Sequence, residues 1–344
     1  MTTQLVSAVS VALGLAVVSA GPARADDVAD FYKGKTISIV NSFSAGGVYG
    51  LHGHLIAEYL PKHLPGRPTV IMQFMPGAGG LKSANYLYNA APKDGSVLGE
   101  LFKDVALNQR LTPRAVKYDA SRFVYIGRVA DFPTVTWVTD KAPARTMEDA
   151  KKAEVILGAT GRASASFMEP TMLNALIGTR FKIVTGYKAA ADLNQAAESG
   201  ETYGWGGTAF SGFRIPGSRR DEWKAGKVFF LAQSGSRRQP ELPDVPLLTE
   251  LVSDDAGKQI MKVLGSGTDV GVHLEAPPGL PAGRVATLRA GFDAMMRDPA
   301  YLAAAKKVSL DIVPMNGDEL QAVVAQTLAV PEPVMERARK VLGL

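Results

Sequence analysis

Two short stretches constrain this chain more than anything else in it, because each turns a β-branched run into a helical pattern through bare glycine. In "IVNSFSAGGVYGLHGHLIAEYL" (39–60) the run stops at Ser44, Ala45, Gly46 and Gly47 before a helix begins. In "VIMQFMPGAGGLKSANYL" (70–87) Gly77, Gly79 and Gly80 repeat the arrangement. Strands separated by helices imply a parallel sheet with helices on its faces. Ligands of such sheets bind beyond the carboxyl ends of the strands, where both glycine turns fall. A helix start stripped of side chains offers free N–H groups and the positive end of the helix dipole, worth roughly 0.3–1 kcal/mol to an anion at an exposed site. One such turn is often plain steric economy; two on adjacent strands favour an anion site.

The alternation continues along the chain. Residues 36–40, 69–74 and 96–102 read as strands, with helices from about 51 and over 81–89. A second unit follows, with strands at "FVYIGRVA", "TVTWVTD", "VILGA" and "FKIVTGY", a short helix at "MEDAKKA", and helices over 168–177 and 189–198. The glycine-rich "TYGWGGTAF" supplies a strand end, "VGVHLEAPPGLP" one more strand, and helical segments close the sequence.

At 344 residues with 46% hydrophobic content, two α/β lobes are the expected size. The apolar segment 5–20, followed by Ala23-Arg24-Ala25 and Asp26, fits an export signal cleaved at Ala25-Asp26, although no Lys or Arg precedes the apolar run. Cysteine is absent, which excludes disulfides, thiolate catalysis and Cys-ligated metals. The net charge of +5 is mild, and the pairs Arg219-Arg220 and Arg237-Arg238 are each followed by acids, so both read as solvated loops rather than a nucleic-acid patch.

Nucleotide motifs fail. Lys82 and Ser83 follow Leu81 rather than glycine, so no P-loop exists, and "GAGGLK" lacks the dinucleotide spacing. His52 and His54 sit on different helix faces; His54 and Glu58 share one but lack a third ligand, and His63 and His273 are isolated. There is no nucleophile elbow. No catalytic residue, metal or cofactor is therefore assigned. Ser164 and Ser166 in "GATGRASAS" would add hydroxyls from the second lobe, and Tyr187 and Trp205 would wall a pocket, although helix capping and core packing are the commoner roles.

The chain resembles the extracytoplasmic solute receptors of tripartite tricarboxylate transporters, the Bug-type receptors. The likeness rests on "SFSAGG", "MPGAGG", "APKDGSVLG", "GATGRASAS", "TGYKAAADLNQAAESGE", "LPDVPLLTEL" and "APPGLPAGRVATLRAGFDAMMRDP", in family order. It implies a two-lobed periplasmic binding protein fold, type II-like, of parallel or mixed sheets flanked by helices, with a ligand cleft between the lobes. Residues 1–25 would be the signal, 26–127 with 244–344 the first lobe, and 128–243 the second. Carried over by motif, the first-lobe contacts are Phe43, Ala45, Gly46, Gly47, Tyr49, Gly77, Ala78 and Gly79. The second-lobe contacts are Ala163, Ser164, Ser166, Tyr187, Gly207 and Thr208, with Lys103 and Asp104 bordering the crevice. Where many members have Gly-Thr-Asp after the double glycine, this chain has Val48-Tyr49-Gly50, so an acidic contact is missing; Tyr187-Lys188-Ala189 replaces Tyr-Lys-Gly. An aspartate-like solute is thereby disfavoured against a plain carboxylate, and Tyr49 leaves room for aromatic acids.

The resulting expectation is a monomeric periplasmic receptor. It closes on a di- or tricarboxylate or an aromatic carboxylate and delivers it to the small and large permease subunits, with no nucleic acid involved. The alternatives are an exported α/β enzyme holding a phosphorylated substrate at the glycine turns, and a receptor reporting solute to a sensor kinase.

Overall fold

Burial along the first strand shows why it sits at the centre of a sheet: its last three residues are all buried, as a strand covered by helices on both faces requires. The computed structural model describes residues 25–215, 219–235 and 237–344, with side chains from residue 28 onward. The expected export signal lies outside the described residues, except that the backbone of Ala25 begins the first helix.

Along the chain the elements are α1 (Ala25–Tyr32), β1 (Thr36–Asn41), α2 (Val48–Tyr59), β2 (Thr69–Phe74), α3 (Leu81–Asn89), β3 (Val97–Glu100), α4 (Val105–Leu111) and β4 (Val124–Ala130). They continue as β5 (Thr134–Thr139), α5 (Met147–Lys152), β6 (Val155–Ala159), α6 (Ala165–Ile177), β7 (Phe181–Thr185), α7 (Ala190–Ser199), β8 (Gly204–Ala209), α8 (Arg220–Lys224) and β9 (Val228–Gln233). The last part comprises α9 (Asp255–Gly265), α10 (Gly267–Val270), β10 (Val272–Ala276), α11 (Ala282–Met296), α12 (Pro299–Lys307), β11 (Met315–Asn316), α13 (Gly317–Leu328) and α14 (Glu332–Leu342).

Two mixed sheets result. The first has the order β11-β4-β10-β3-β1-β2 and the second β7-β6-β8-β5-β9. In the first, β1 runs parallel to β2 and β3, so that Asn41 lies level with both Phe74 and Glu100. In the second, β6 runs parallel to β7 and β8. Strands β10 and β5 are antiparallel to their neighbours and make both sheets mixed. Each sheet is packed on both faces. Ile37 and Ile39 of β1 meet Phe292 and Met295 of α11, while Val40 packs with Leu81, Leu87 and Phe102 on the other side. In the second sheet Trp137, Trp205 and Phe213 fill one face, and Val138, Leu157 and Leu173 the other. Fully burying one such side chain is worth roughly 1.5–3 kcal/mol before the entropy cost of ordering the chain.

Several elements depart from the sequence pattern. Helix α2 begins at Val48, a full turn earlier than expected near residue 51, because Gly50 and Gly53 weaken the helical signal. Both glycines are demanded by packing: a Cβ at Gly50 would lie 2.1 Å from the Ala45 carbonyl oxygen, and one at Gly53 would meet Met72 and Glu100. Helix α6 likewise begins at Ala165 rather than 168. Strand β9 and helices α9 and α14 carried no anticipated label. Ile260, Met261 and Leu264 of α9 and Met335 and Leu342 of α14 join Met168 and Met172 of α6 in one core, so these C-terminal helices cover the second sheet. Among the described residues no helix is long and apolar enough to cross a membrane.

The chain passes between the sheets near three mutually bonded hydroxyls. Thr134 Oγ1 lies 2.7 Å from Ser234 Oγ, which lies 3.1 Å from Thr268 Oγ1, and the Phe132 N–H donates to the Thr268 carbonyl.

Candidate functional site

The parallel registers bring six turns to two facing sheet edges. From the first sheet come the segments after β1, β2 and β3; from the second, those after β6, β7 and β8. Between them lies a cavity of about 400 Å³, a size suited to a small ligand.

Among the helices that start on this cavity, α2, α6 and α7 have no side-chain cap. Gly47 precedes α2 with extended backbone, Ser164 precedes α6, and Ala189 precedes α7. Helices α2 and α6 also carry no acidic residue in their first turns. The first-turn N–H groups of a helix have no partner within it, so two uncompensated positive ends face the same space.

The turn after β2 is held differently. Gly77, Ala78, Gly79 and Gly80 all have positive φ, at 144°, 49°, 67° and 104°. L-residues pay roughly 1–2 kcal/mol for the left-handed region, which glycine escapes. This conformation seats the turn against the second sheet: a Cβ on Gly79 would lie 3.2 Å from Ser164 N and 3.4 Å from Ala163 Cβ. The facing turn is braced by its own serines. Ser164 Oγ donates to the Gly161 carbonyl at 2.7 Å and lies 2.7 Å from Ser166 Oγ, which accepts the Thr160 N–H at 3.1 Å.

Side-chain bonds tie the two glycine turns to each other. The Asn41 amide donates to buried Glu100 at 2.5 Å and accepts the Phe43 N–H at 2.7 Å. Ser42 Oγ accepts the Phe102 N–H and lies 2.7 Å from Ser83 Oγ, which donates to the Gly80 carbonyl. Burial, opposed by the Asn41 amide, pushes the Glu100 carboxyl well above its ordinary range.

After β3, Lys103 Nζ and Asp104 Oδ1 form a buried pair at 3.0 Å, and the Lys103 N–H donates to Tyr49 Oη at 3.0 Å. Burial and the charge of Asp104 raise the Tyr49 phenol well above its usual value. Beside this pair Glu169 of α6 is buried and accepts from Thr134 Oγ1 at 2.8 Å. Desolvation lifts its carboxyl to about 7, against the pull of Lys103 and the Thr134 bond.

Of the residues expected from the sequence, Phe43, Gly46, Gly47, Tyr49, Gly79, Lys103, Asp104, Ser164, Ser166, Gly207 and Thr208 line the cavity. Ala45, Gly77, Ala78 and Ala163 shape the adjoining turns without facing it. Tyr187 is not among the lining residues: its ring covers Gly158 and its hydroxyl donates to Glu201 at 2.7 Å. A larger cavity of about 620 Å³ between α9, α13 and α14 contains none of the expected residues.

Sequence reasoning missed much of the apolar wall. Phe102, Phe132 and Phe213 line the cavity, as does Trp205, which was anticipated. Arg219 is a correction: it is no solvated loop residue but is 7% exposed and on the cavity wall. Its guanidinium lies 4.5 Å from the Trp137 ring and is paired with Glu198 and Glu222. The acids at 221 and 222 pointed to solvent, whereas Glu222 is the salt-bridge partner that lets Arg219 be buried. His273 is also buried rather than isolated, 3.2 Å from Glu275.

The model of the tripartite tricarboxylate transporter family receptors matches residues 54–339. Among solved structures, the periplasmic binding protein BugD is 22% identical with a TM-score of 0.70, over 89% of this chain and 98% of its own. MatC from Rhodopseudomonas palustris, solved with malate, is 20% identical with a TM-score of 0.65, over 90% and 99%. A protein of R. palustris solved with adipate is 19% identical with a TM-score of 0.68, over 90% and 97%. No curated protein sequence matches this one. The structural likenesses show a common fold, the two mixed sheets flanked by helices that the sequence led us to expect.

Proposed function

The chain belongs to the tripartite tricarboxylate transporter receptor family, and we propose that it captures a small organic acid in the periplasm and hands it to a membrane transporter of that type. One observation carries the reading: two uncapped helix starts without first-turn acids, α2 and α6, border one cavity beside a glycine turn whose backbone is bare. Such a setting favours a carboxylate held by backbone N–H groups. We assign that contact to Gly46, Gly47, Gly79, Ser164 and Ser166, with Phe43, Tyr49, Lys103, Asp104, Gly207 and Thr208 forming the surrounding wall. Ala45, Gly77, Ala78 and Ala163 set the shape of the turns. Malate and adipate in two structures of the same fold support a carboxylic acid as the solute class.

In this reading residues 26–127 and 244–344 form one lobe and 128–243 the other, with the covering helices α9 and α14 lying against the second. The lobes close by bending at the crossings near Thr134, Ser234 and Thr268. The receptor acts as a monomer, and its partners are the small and large permease subunits.

The experiment is a thermal-shift panel on the protein from residue 26 onward, with mono-, di- and tricarboxylates, aromatic acids and nucleotides. Stabilisation by carboxylic acids is expected. Stabilisation by nucleotides alone would overturn the proposal in favour of an enzyme acting on a phosphorylated substrate.

A further inference from the structure

The two ends of the cavity differ in charge, and the difference limits what can fill it. At one end the helix starts of α2 and α6 lack first-turn acids. At the other, α7 carries Asp192 in its first turn, whose carboxylate accepts the Lys188 N–H at 2.9 Å just before the helix. The positive end of α7 is thus already balanced.

Cations tell the same story. Among the described residues lining the cavity, the cationic side chains are Lys103 and Arg219. Lys103 is paired with Asp104 at 3.0 Å. Arg219 is paired twice, with Glu198 at 3.3 Å and with Glu222, and also donates to the Asn194 carbonyl at 3.1 Å. Its Nε is also buried without a partner, with no surface open to the cavity. Between these ends the wall is aromatic, formed by Phe43, Tyr49, Phe102, Phe132, Trp205 and Phe213. A second carboxylate there would lose its water and meet a guanidinium whose charge two glutamates have already matched. Burial of an unpaired charge is costly, whereas a neutral group meets no such penalty.

We infer that the solute is a monocarboxylate with an apolar body and an uncharged far end toward Arg219. This rests on the carboxylate reading of the cavity and narrows it: among the acids that reading allows, those with two or three carboxylates are excluded.

The test is titration calorimetry with matched pairs that differ in one charge. The pairs are 4-acetylbenzoate against benzene-1,4-dicarboxylate and 5-oxohexanoate against pentanedioate, alongside the unbranched C2 to C8 mono- and dicarboxylates. The neutral-ended member of each pair that binds is expected to bind at least 10-fold more tightly. In Glu198→Gln/Glu222→Gln, two exchanges at partly exposed positions, the ratio should move at least 5-fold toward the dicarboxylate, because the charge of Arg219 is then left unmatched. Dicarboxylates binding as tightly as their partners, or a ratio unmoved in the double variant, overturns the inference while leaving the carboxylate reading intact. A protein that binds no carboxylate of either kind overturns both.

Discussion

The two glycine turns of the first sheet look like copies in the sequence, yet they are built on opposite principles. After β1 the chain stays in ordinary backbone conformations, and side chains hold it: Asn41 bridges Glu100 and the Phe43 amide, and Ser42 bridges Phe102 and Ser83. A Cβ on Gly46 would meet nothing within 4 Å. After β2 four successive residues take positive φ, and the turn lies against the second sheet, with Ser83 bonded to the Gly80 carbonyl. Glycine in the first turn exposes N–H groups; in the second it permits the conformation itself. Substitution separates the two roles.

The largest effect belongs to the second turn. Gly79→Asp puts a side chain and a negative charge where φ is +67° and the facing turn is 3.2 Å away. Calorimetry should register at least a 100-fold loss of solute affinity, with circular dichroism still reporting a folded protein; unchanged affinity would remove this turn from the site. Gly80→Ala acts on stability instead. Its Cβ would lie 2.4 Å from the Phe102 ring at a φ of +104°, so urea unfolding should give a loss of about 1–3 kcal/mol.

Glu100 sharpens the contrast through pH. Its folded carboxyl holds its proton above the ordinary 4.5, whereas the unfolded chain releases the proton near that value. Wild-type stability contributed by this group is therefore full below about pH 4.5 and declines as pH rises toward the folded value. Glu100→Gln mimics the protonated form and should remove that decline, so its advantage over wild type grows from pH 5 to pH 8 in urea titrations. An advantage constant across that range would show that Glu100 is not the titrating group. Least of all should Gly46→Ala matter: a stability change within about 0.5 kcal/mol and an affinity loss under 10-fold. A larger loss of stability would make the first turn as constrained as the second.

The sequence displayed the strands and both turns because those signals are local, carried by β-branched runs and glycine. It did not display what distant segments bring together. Phe132 reaches the cavity through a crossing between the sheets, Phe213 and Arg219 through the long β8–β9 connection, and Arg219 among acids reads as solvent until Trp137 is found beneath it. Tyr187 is the converse case: a family motif marked it, and its ring lies over Gly158 beside the lining residues Leu193 and Trp205. The start of α2 was hidden by glycines that serve packing rather than helix formation.

The contact between Gly79 and the 161–164 turn has a kinetic side. Along that flank the two halves already touch, so a captured molecule has no lateral exit there until the turns part. Departure along that flank is therefore set by the parting of the two turns rather than by the contacts the molecule makes in the cavity.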